Sequence, residues 1–400
     1  MERENHMPDR YRLVLSNTYG HPNIGDEAIL GSMISELSKQ IENVEILVLT
    51  LRPSLTRRNH PGVQVVKSGV IDGVISTVKA IRQADLLIVG GGGIIQDQTS
   101  LGNLLFHLSR PLVASLFGVP FMCYAVGAGP LKADIGRRFT AAIMKRAELI
   151  MVRDFPSAEL FRRIGIPAEL VHVTADPAVN LGLPDAPSQS PVYQKIEDIR
   201  QNAKCLVGIS LRPMGDTYRL LPRRPGGTST STWFMREMAQ SVKDIIDGMD
   251  AHFVFFSMHP EQDDILGRRL AEQIGRSDRL TFVAGTLSPS MMMAAIGLTD
   301  LFIGMRLHSL IFAARSMVPM IALAYDPKVE YFMKDLGQEK CVLPLDRWSR
   351  EHLLHLTQET WRQRSKIESE IATRLPDLQD RARKNAYVVT QFLLRNPKEV

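Results

Sequence analysis

Leu301-Phe302-Ile303-Gly304-Met305-Arg306-Leu307-His308-Ser309 is the stretch that decides how this chain folds. Leu301 to Gly304 predicts a short buried strand, and the residues after it open a helix. A strand that is apolar throughout needs cover on both faces, which parallel α/β sheets provide. The same junction carries chemistry. A helix amino terminus leaves backbone N–H groups unused and presents the positive end of its dipole. Arg306 adds a fixed, forked cation, and His308 adds a group that exchanges a proton near neutral pH. Anion binding combined with acid–base chemistry is the natural reading.

The rhythm recurs on either side. Apolar runs at Leu13–Ser16, Ile46–Leu49, Leu86–Val89, Phe121–Val126, Leu149–Val152, Leu206–Leu211, Phe253–Ser257, Phe302–Gly304 and Met320–Ala324 alternate with amphipathic helices, with a short strand near Val171–Val173. Residues 183–191 (Leu-Pro-Asp-Ala-Pro-Ser-Gln-Ser-Pro) interrupt the pattern and read as a linker. The expected organisation is an α/β chain of two Rossmann-like domains facing across a cleft. These are residues 1–182, a linker over 183–203, and 204–400 with helices at the carboxyl end, from Glu351 to about Lys366 and from Ala372 to Arg395. In such folds ligands lie beyond the carboxyl ends of the strands.

Composition narrows the classes. Four hundred residues suggest two domains, and 44% hydrophobic with 23% charged residues describe a globular protein. The net charge of +5 fits acidic ligands or an anionic membrane surface and falls far short of a nucleic-acid signature. Cys123, Cys205 and Cys341 are scattered in apolar stretches and read as buried free thiols of a reducing compartment. Met1 to His6 lacks the apolar core of a signal peptide. Residues 111–131 carry no charge, but Pro111, Pro120 and Pro130 break them into helix, turn and strand. A cytoplasmic protein, in possible peripheral contact with the membrane through its last helix, is expected.

Polar residues cluster where strands end. Ser16 to Leu30 (Ser-Asn-Thr-Tyr-Gly-His-Pro-Asn-Ile-Gly-Asp-Glu-Ala-Ile-Leu) follows a strand and opens a helix. Gly20 and Gly25 permit a tight turn, and Asn23 or Asp26 can cap the helix. A capped turn needs one such residue, not Asn17, Asn23, Asp26 and Glu27 together, and the density suits hydroxyl-rich ligands such as sugars. Gly90-Gly91-Gly92-Gly93-Ile94-Ile95-Gln96-Asp97 lets backbone approach a ligand or simply packs closely; it is neither a Walker loop nor a dinucleotide fingerprint. Arg153-Asp154 and Asp176-Pro177-Ala178 occupy further strand exits, as ion pair, cap or ligand.

In the second half, Arg212 ends the strand beginning near Leu206, and His259-Pro260-Glu261-Gln262-Asp263 follows the next. Lys328, in Tyr325-Asp326-Pro327-Lys328, lies at a helix start where the dipole disfavours a cation, and an anionic ligand would resolve that placement. Arg212, Arg306 and Lys328 thus converge from three strand exits with His308 beside them, and a small polyanion is the expected target. No cluster has metal-ligand spacing, so no catalytic metal is expected.

Gly25-Asp26-Glu27-Ala28-Ile29, Gly90 to Gly93, Gly127-Ala128-Gly129-Pro130, Arg153-Asp154, Asp176-Pro177-Ala178, Ile209-Ser210-Leu211-Arg212-Pro213, Gly304-Met305-Arg306-Leu307-His308 and Tyr325-Asp326-Pro327-Lys328 resemble, in that order, the polysaccharide pyruvyl transferase family, and specifically its CsaB-type members. His21-Pro22 stands where that family more often has aromatic or small residues. The resemblance implies a GT-B-like fold, phosphoenolpyruvate as co-substrate with no other cofactor, and a lipid-linked N-acetylmannosamine-containing saccharide as acceptor. It implies Arg212, Arg306, His308 and Lys328 on the donor. Asn17, Asn23, Glu27, Gly92, Gln96, Asp97, Arg153 and Asp176 fall to the acceptor, with His308 as acid or phosphate ligand and Asp26 as base, Glu27 in reserve. A nucleotide-sugar glycosyltransferase, for which Glu261 and Asp263 could serve the ribose, and a non-catalytic saccharide-binding protein are the alternatives.

Overall fold

The computed structural model describes residues 10–69, 71–214, 230–276, 278–284 and 287–396; the polar amino terminus, Met1 to His6, lies outside them. The chain divides into two compact units, one of residues 1–21, 26–181 and 377–400, the other of 22–25 and 182–376.

The first unit holds a parallel sheet of β1 (Tyr11–Tyr19), β2 (Val44–Thr50), β3 (Gln64–Lys67), β4 (Leu86–Ile95), β5 (Phe121–Ala128), β6 (Leu149–Val152) and β7 (Val171–Val173), in the order β3-β2-β1-β4-β5-β6-β7. Between the strands run α1 (Ile24–Gln40), α2 (Pro53–Asn59), α3 (Val74–Arg82), α4 (Leu101–Leu116), α5 (Asp134–Met144) and α6 (Phe155–Arg163). Right-handed crossovers put α1 and α2 on one face and α3 to α6 on the other. The central strands are therefore buried on both sides, and Leu13, Val14, Leu87, Ile88, Cys123 and Val126 have essentially no exposed surface. The uncharged run over 111–131 is the end of α4 and most of β5, and no described helix is long and apolar enough to cross a membrane.

The second unit repeats the plan. Its strands are β8 (Cys205–Ser210), β9 (Ala251–Phe256), β10 (Leu280–Val283), β11 (Leu301–Gly304), β12 (Met320–Ala324) and β13 (Val342–Pro344), parallel in the order β10-β9-β8-β11-β12-β13. Its helices are α7 (Pro191–Asn202), α8 (Thr230–Met249), α9 (Pro260–Ile274), α10 (Pro289–Ile296), α11 (Leu307–Arg315), α12 (Pro327–Asp335), α13 (Arg350–Arg362) and α14 (Arg364–Arg395). Both sheets are of the Rossmann type, and the chain has a GT-B-like α/β fold. In each, the chain reverses direction across the sheet between its first and fourth strands, at β1/β4 and β8/β11. Such switch points open a crevice at the carboxyl ends of the strands.

Three features differ from the sequence expectation. Strands β3, β10 and β13 went unread because each is three or four residues long at a sheet edge, where one side needs no apolar cover. The expected linker over 183–203 contains α7, which buries Ile196. The chain end belongs to two units rather than one. α14 starts at Arg364, not Ala372, and from Asp377 onward it packs with the first unit. There the Asn385 side chain accepts from Thr174 Oγ1 at 2.9 Å, Asn180 donates to the Gln379 carbonyl at 3.1 Å, and Val389 and Leu393 are buried.

Candidate active site

At the first unit's switch point, three adjacent strands are irregular at the same level. Register shifts interrupt β1 between Ser16 and Tyr19, β4 between Gly92 and Ile95, and β5 between Cys123 and Val126. Bulges re-aim side chains and recur beside functional sites. Asn17 lies within the first and is buried, its Nδ2 donating to the Gly91 carbonyl at 2.8 Å while its Oδ1 accepts from the Thr18 N–H.

The four-glycine run turns out to serve two purposes. A methyl group on Gly90 would meet the Met33 side chain at 2.5 Å, and one on Gly91 would meet Ile29 Cγ2 at 2.0 Å. These two glycines let α1 lie against β4, the close-packing alternative. Gly92 (φ +85°) faces polar groups instead: its missing side chain would begin 3.5 Å from Asp26 Oδ1 and 3.7 Å from Asn17 Nδ2. Gly93 faces the Arg153 guanidinium at 3.5 Å. Asn17, Asp26, Gly92 and Arg153 are thereby gathered around the exits of β1, β4 and β6.

The other expected acceptor residues sit nearby but carry structural bonds. Arg153 Nη1 donates to Asp176 Oδ2 at 2.8 Å in a buried pair, and Asp176 Oδ1 accepts from the Ala178 N–H. Glu27 is buried and accepts from Asn59 Nδ2 and pairs with His60 Nε2, both at 3.1 Å, tying α1 to α2. Burial alone would raise its carboxyl pKa, but the bonds from His60 and Asn59 outweigh burial and leave it below the ordinary value. Asp97 accepts from the Lys132 and Ala133 N–H groups, holding the start of α5, and Gln96 closes a turn onto Thr99. Asn23 caps α1, its Oδ1 accepting from the Gly25 N–H at 3.0 Å.

Pro22 to Gly25 belongs to the second unit. Ile24 N–H donates to the Met258 carbonyl at 3.0 Å, and a Cβ on Gly25 would stand 2.2 Å from His308 Nδ1. Gly20, at φ +80°, makes the tight turn expected of both glycines. Gly25 has a different reason: its lack of a side chain leaves room for the His308 imidazole.

At the second switch point the exits of β8, β11 and β12 are neighbours, and the Met305 N–H donates to the Ser210 carbonyl at 2.8 Å. Arg306 precedes α11 and reaches back across β8 to Asp263 on α9, Nη2 to Oδ1 at 2.5 Å. Asp263 is fully buried, and its other oxygen accepts from the Met258 and His259 N–H groups. Arg212 goes the other way, its guanidinium carbon 4.5 Å from the Tyr325 ring centre. Lys328 Nζ lies 5.2 Å from the same ring and donates to Asp326 Oδ2 at 2.9 Å. Asp326 also caps α12 through the Lys328 N–H, so it compensates the cation at this helix start without a ligand, contrary to the expectation drawn from the dipole.

Tyr325 was missed as a site residue. An aromatic at a strand exit with a lysine three positions on is the signal that could have found it. Burial works to raise its phenol pKa, but the charges of Lys328 and Arg212 outweigh burial and bring it below its ordinary value. A cavity of about 730 Å³ in the first unit, lined by Arg82, Asp85, Phe117, Arg146 and Glu148 among others, lies at the amino-terminal ends of the strands and includes none of these residues.

Two Rossmann-type sheets with polar switch points define a GT-B-like α/β class. Solved structures agree on the fold: S. aureus MnaA in its UDP co-structure (TM-score 0.65, 13% identity, 98% of this chain and 99% of that one); a putative UDP-N-acetylglucosamine 2-epimerase from Listeria monocytogenes (0.66, 13%, 98% and 99%); and Anabaena Alr3699/HepE with UDP-glucose (0.61, 14%, 95% and 99%). No curated protein matches. The profile of the polysaccharide pyruvyl transferase family matches residues 23–327, and the chain belongs to that family.

Proposed function

We propose that the protein is a CsaB-type enzyme that moves the pyruvyl group of phosphoenolpyruvate onto a lipid-linked, N-acetylmannosamine-containing saccharide, forming a 4,6-linked ketal and releasing phosphate. The observation that carries this reading is the grouping at the β8, β11 and β12 exits. Arg212 and Lys328 flank Tyr325 there, and Arg306 and His308 open α11, in a chain whose family transfers pyruvyl groups. Phosphoenolpyruvate carries a carboxylate and a phosphate, and charge-assisted hydrogen bonds to such groups contribute about 1.5–3 kcal/mol each.

In this reading Arg212, Arg306 and Lys328 hold the donor. An acceptor hydroxyl attacks C2 while His308 delivers a proton to the methylene carbon, which becomes a methyl group. Asp26, which like Asn17 faces the missing side chain of Gly92, takes the hydroxyl proton. The resulting phospho-ketal loses phosphate, and the second hydroxyl closes the ring on the oxocarbenium-like carbon as its proton leaves. The polar switch point of the first unit serves the saccharide.

Several structural neighbours are complexes with UDP, which makes a nucleotide sugar the rival donor. Asp263 weighs against it: Arg306 and two backbone N–H groups occupy the carboxylate that a ribose would need. The test is inorganic phosphate release from phosphoenolpyruvate with and without a synthetic N-acetylmannosamine disaccharide acceptor. Acceptor-dependent release is expected. Silence with phosphoenolpyruvate together with consumption of a UDP-sugar would assign the chain to nucleotide-sugar chemistry.

A further inference from the structure

Helices α3, α4 and α5 lie side by side on one face of the first sheet, with α3 packed on α4 and α4 on α5. Their outward residues are unusually apolar. Ile75 on α3 is 86% exposed, Leu116 on α4 is 69% exposed and Ile135 on α5 is 52% exposed, joined by Ile71 just before α3, Leu105 and Phe139. The charge beside them leans positive, and Asp72 next to Ile71 is paired with Lys67. Residues 132–147 contain Lys132, Arg137, Arg138, Lys145 and Arg146 against Asp134 alone, a net +4 where the whole chain has +5. Asp134 is itself paired with Arg137. Aliphatic and phenylalanine side chains ringed by lysine and arginine are the composition of a surface that rests in the headgroup region of an anionic bilayer.

Position adds to composition. Asp97 bonds the Lys132 and Ala133 N–H groups, so α5 begins at the carboxyl end of the sheet, beside the strand exits that gather Asn17, Asp26 and Gly92. The last helix, whose basic residues are the other candidate for membrane contact, has Val389 and Leu393 buried in the first unit.

We propose that the α3–α5 face docks on an anionic phospholipid surface and so holds the first unit's polar switch point next to saccharides carried on membrane lipid. This rests on the reading of the acceptor as lipid-linked. The complementary charges choose a bilayer over an uncharged partner, and the absence of a spanning helix among the described residues fits a peripheral contact.

The test is co-sedimentation of the full chain, without acceptor or phosphoenolpyruvate, with vesicles of phosphatidylcholine alone or mixed equally with phosphatidylglycerol. Binding is expected only to the mixed vesicles. Each cation near such a surface contributes about fivefold to binding, so Arg138→Glu, which removes one charge and adds its opposite, should weaken it about 25-fold. Ile135→Ser combined with Phe139→Ser should weaken it at least tenfold, whereas Ile265→Ser, at an exposed site of the second unit, should leave it unchanged. Circular dichroism checks that each variant folds. Equal binding to both vesicle types, no binding to either, or equal loss in Ile265→Ser would overturn the proposal. So would concentration-dependent self-association removed by the Ile135/Phe139 change in a chain that ignores vesicles, since the face would then join two copies. Phosphate release with a lipid-free disaccharide, measured on the same variants, keeps the two readings apart. It should not change with vesicle binding, and its absence in the native chain would count against the pyruvyl-transfer reading alone.

Discussion

A methyl group at position 25 would sit 2.2 Å from His308 Nδ1 and 2.5 Å from its Cγ, far inside contact distance, so Gly25→Ala must push the imidazole aside. If His308 supplies the proton, misplacing it costs the roughly 10²–10⁴-fold that general acid catalysis contributes. Steady-state phosphate release from Gly25→Ala should therefore fall into that range while its circular dichroism stays native. Near-native turnover would remove His308 from the chemistry. Tyr325 offers a second local test. Its phenol lies between two cations, so it should ionise below the usual 10 in the native chain, and Lys328→Ala should move that ionisation upward. An ultraviolet difference titration, with Tyr325→Phe to identify the signal, reads the shift directly. Neither role was visible from sequence. Gly25 looked like a turn glycine because the residue that crowds it is almost three hundred positions away. Tyr325 stood in the motif after the Met320–Ala324 strand with only Lys328 of that motif read as a ligand.

At the scale of elements, buried polar bonds fix how helices meet the sheet. Arg153 and Asp176 join the exits of β6 and β7, and breaking a buried pair from one side costs about 3–5 kcal/mol because it strands the other charge. Arg153→Met should lose stability of that order in urea unfolding. A variant that loses acceptor binding at full stability would instead mark Arg153 as a ligand. Glu27, between α1 and α2, makes stability depend on pH. Its folded pKa is lowered, so its contribution is complete above the ordinary 4.5 and disappears as pH falls through the folded value. The stability gap between the native chain and Glu27→Gln should be constant above pH 4.5 and close below it, as followed by denaturation at stepped pH. The central strands were legible because residues such as Ile88, Cys123 and Phe302 are covered on both faces and so form unbroken apolar runs. β3, with its two ends exposed, lacks that signature. The strand-exit positions of Arg212, Arg306 and Lys328 were legible from sequence, but Arg306 turns to Asp263 while Arg212 and Lys328 share Tyr325. The partners Asp263 of Arg306 and Tyr325 of Arg212 were not legible, because strand order rather than spacing brings each pair together.

On the scale of the whole molecule, the division of α14 matters most. Removing residues after Pro376 takes away the helix that covers Thr174, Asn180 and Tyr11, whose hydroxyl donates to the Leu393 carbonyl. A chain truncated there should lose amide-exchange protection in β1 and β7 while β8 and β11 keep theirs, as mass-resolved hydrogen exchange can show. Equal loss in both sheets would mean that the units do not stabilise separately. Domains emerging from the ribosome ordinarily fold in the order they are made. Here nearly all of the second unit lies within residues 182–376, inserted between parts of the first, and the segment that completes the first is synthesised after it. The first unit therefore waits, unfinished, for a segment made after the second, and a ribosome that stalls before residues 377–400 emerge leaves a complete second unit attached to an open first one.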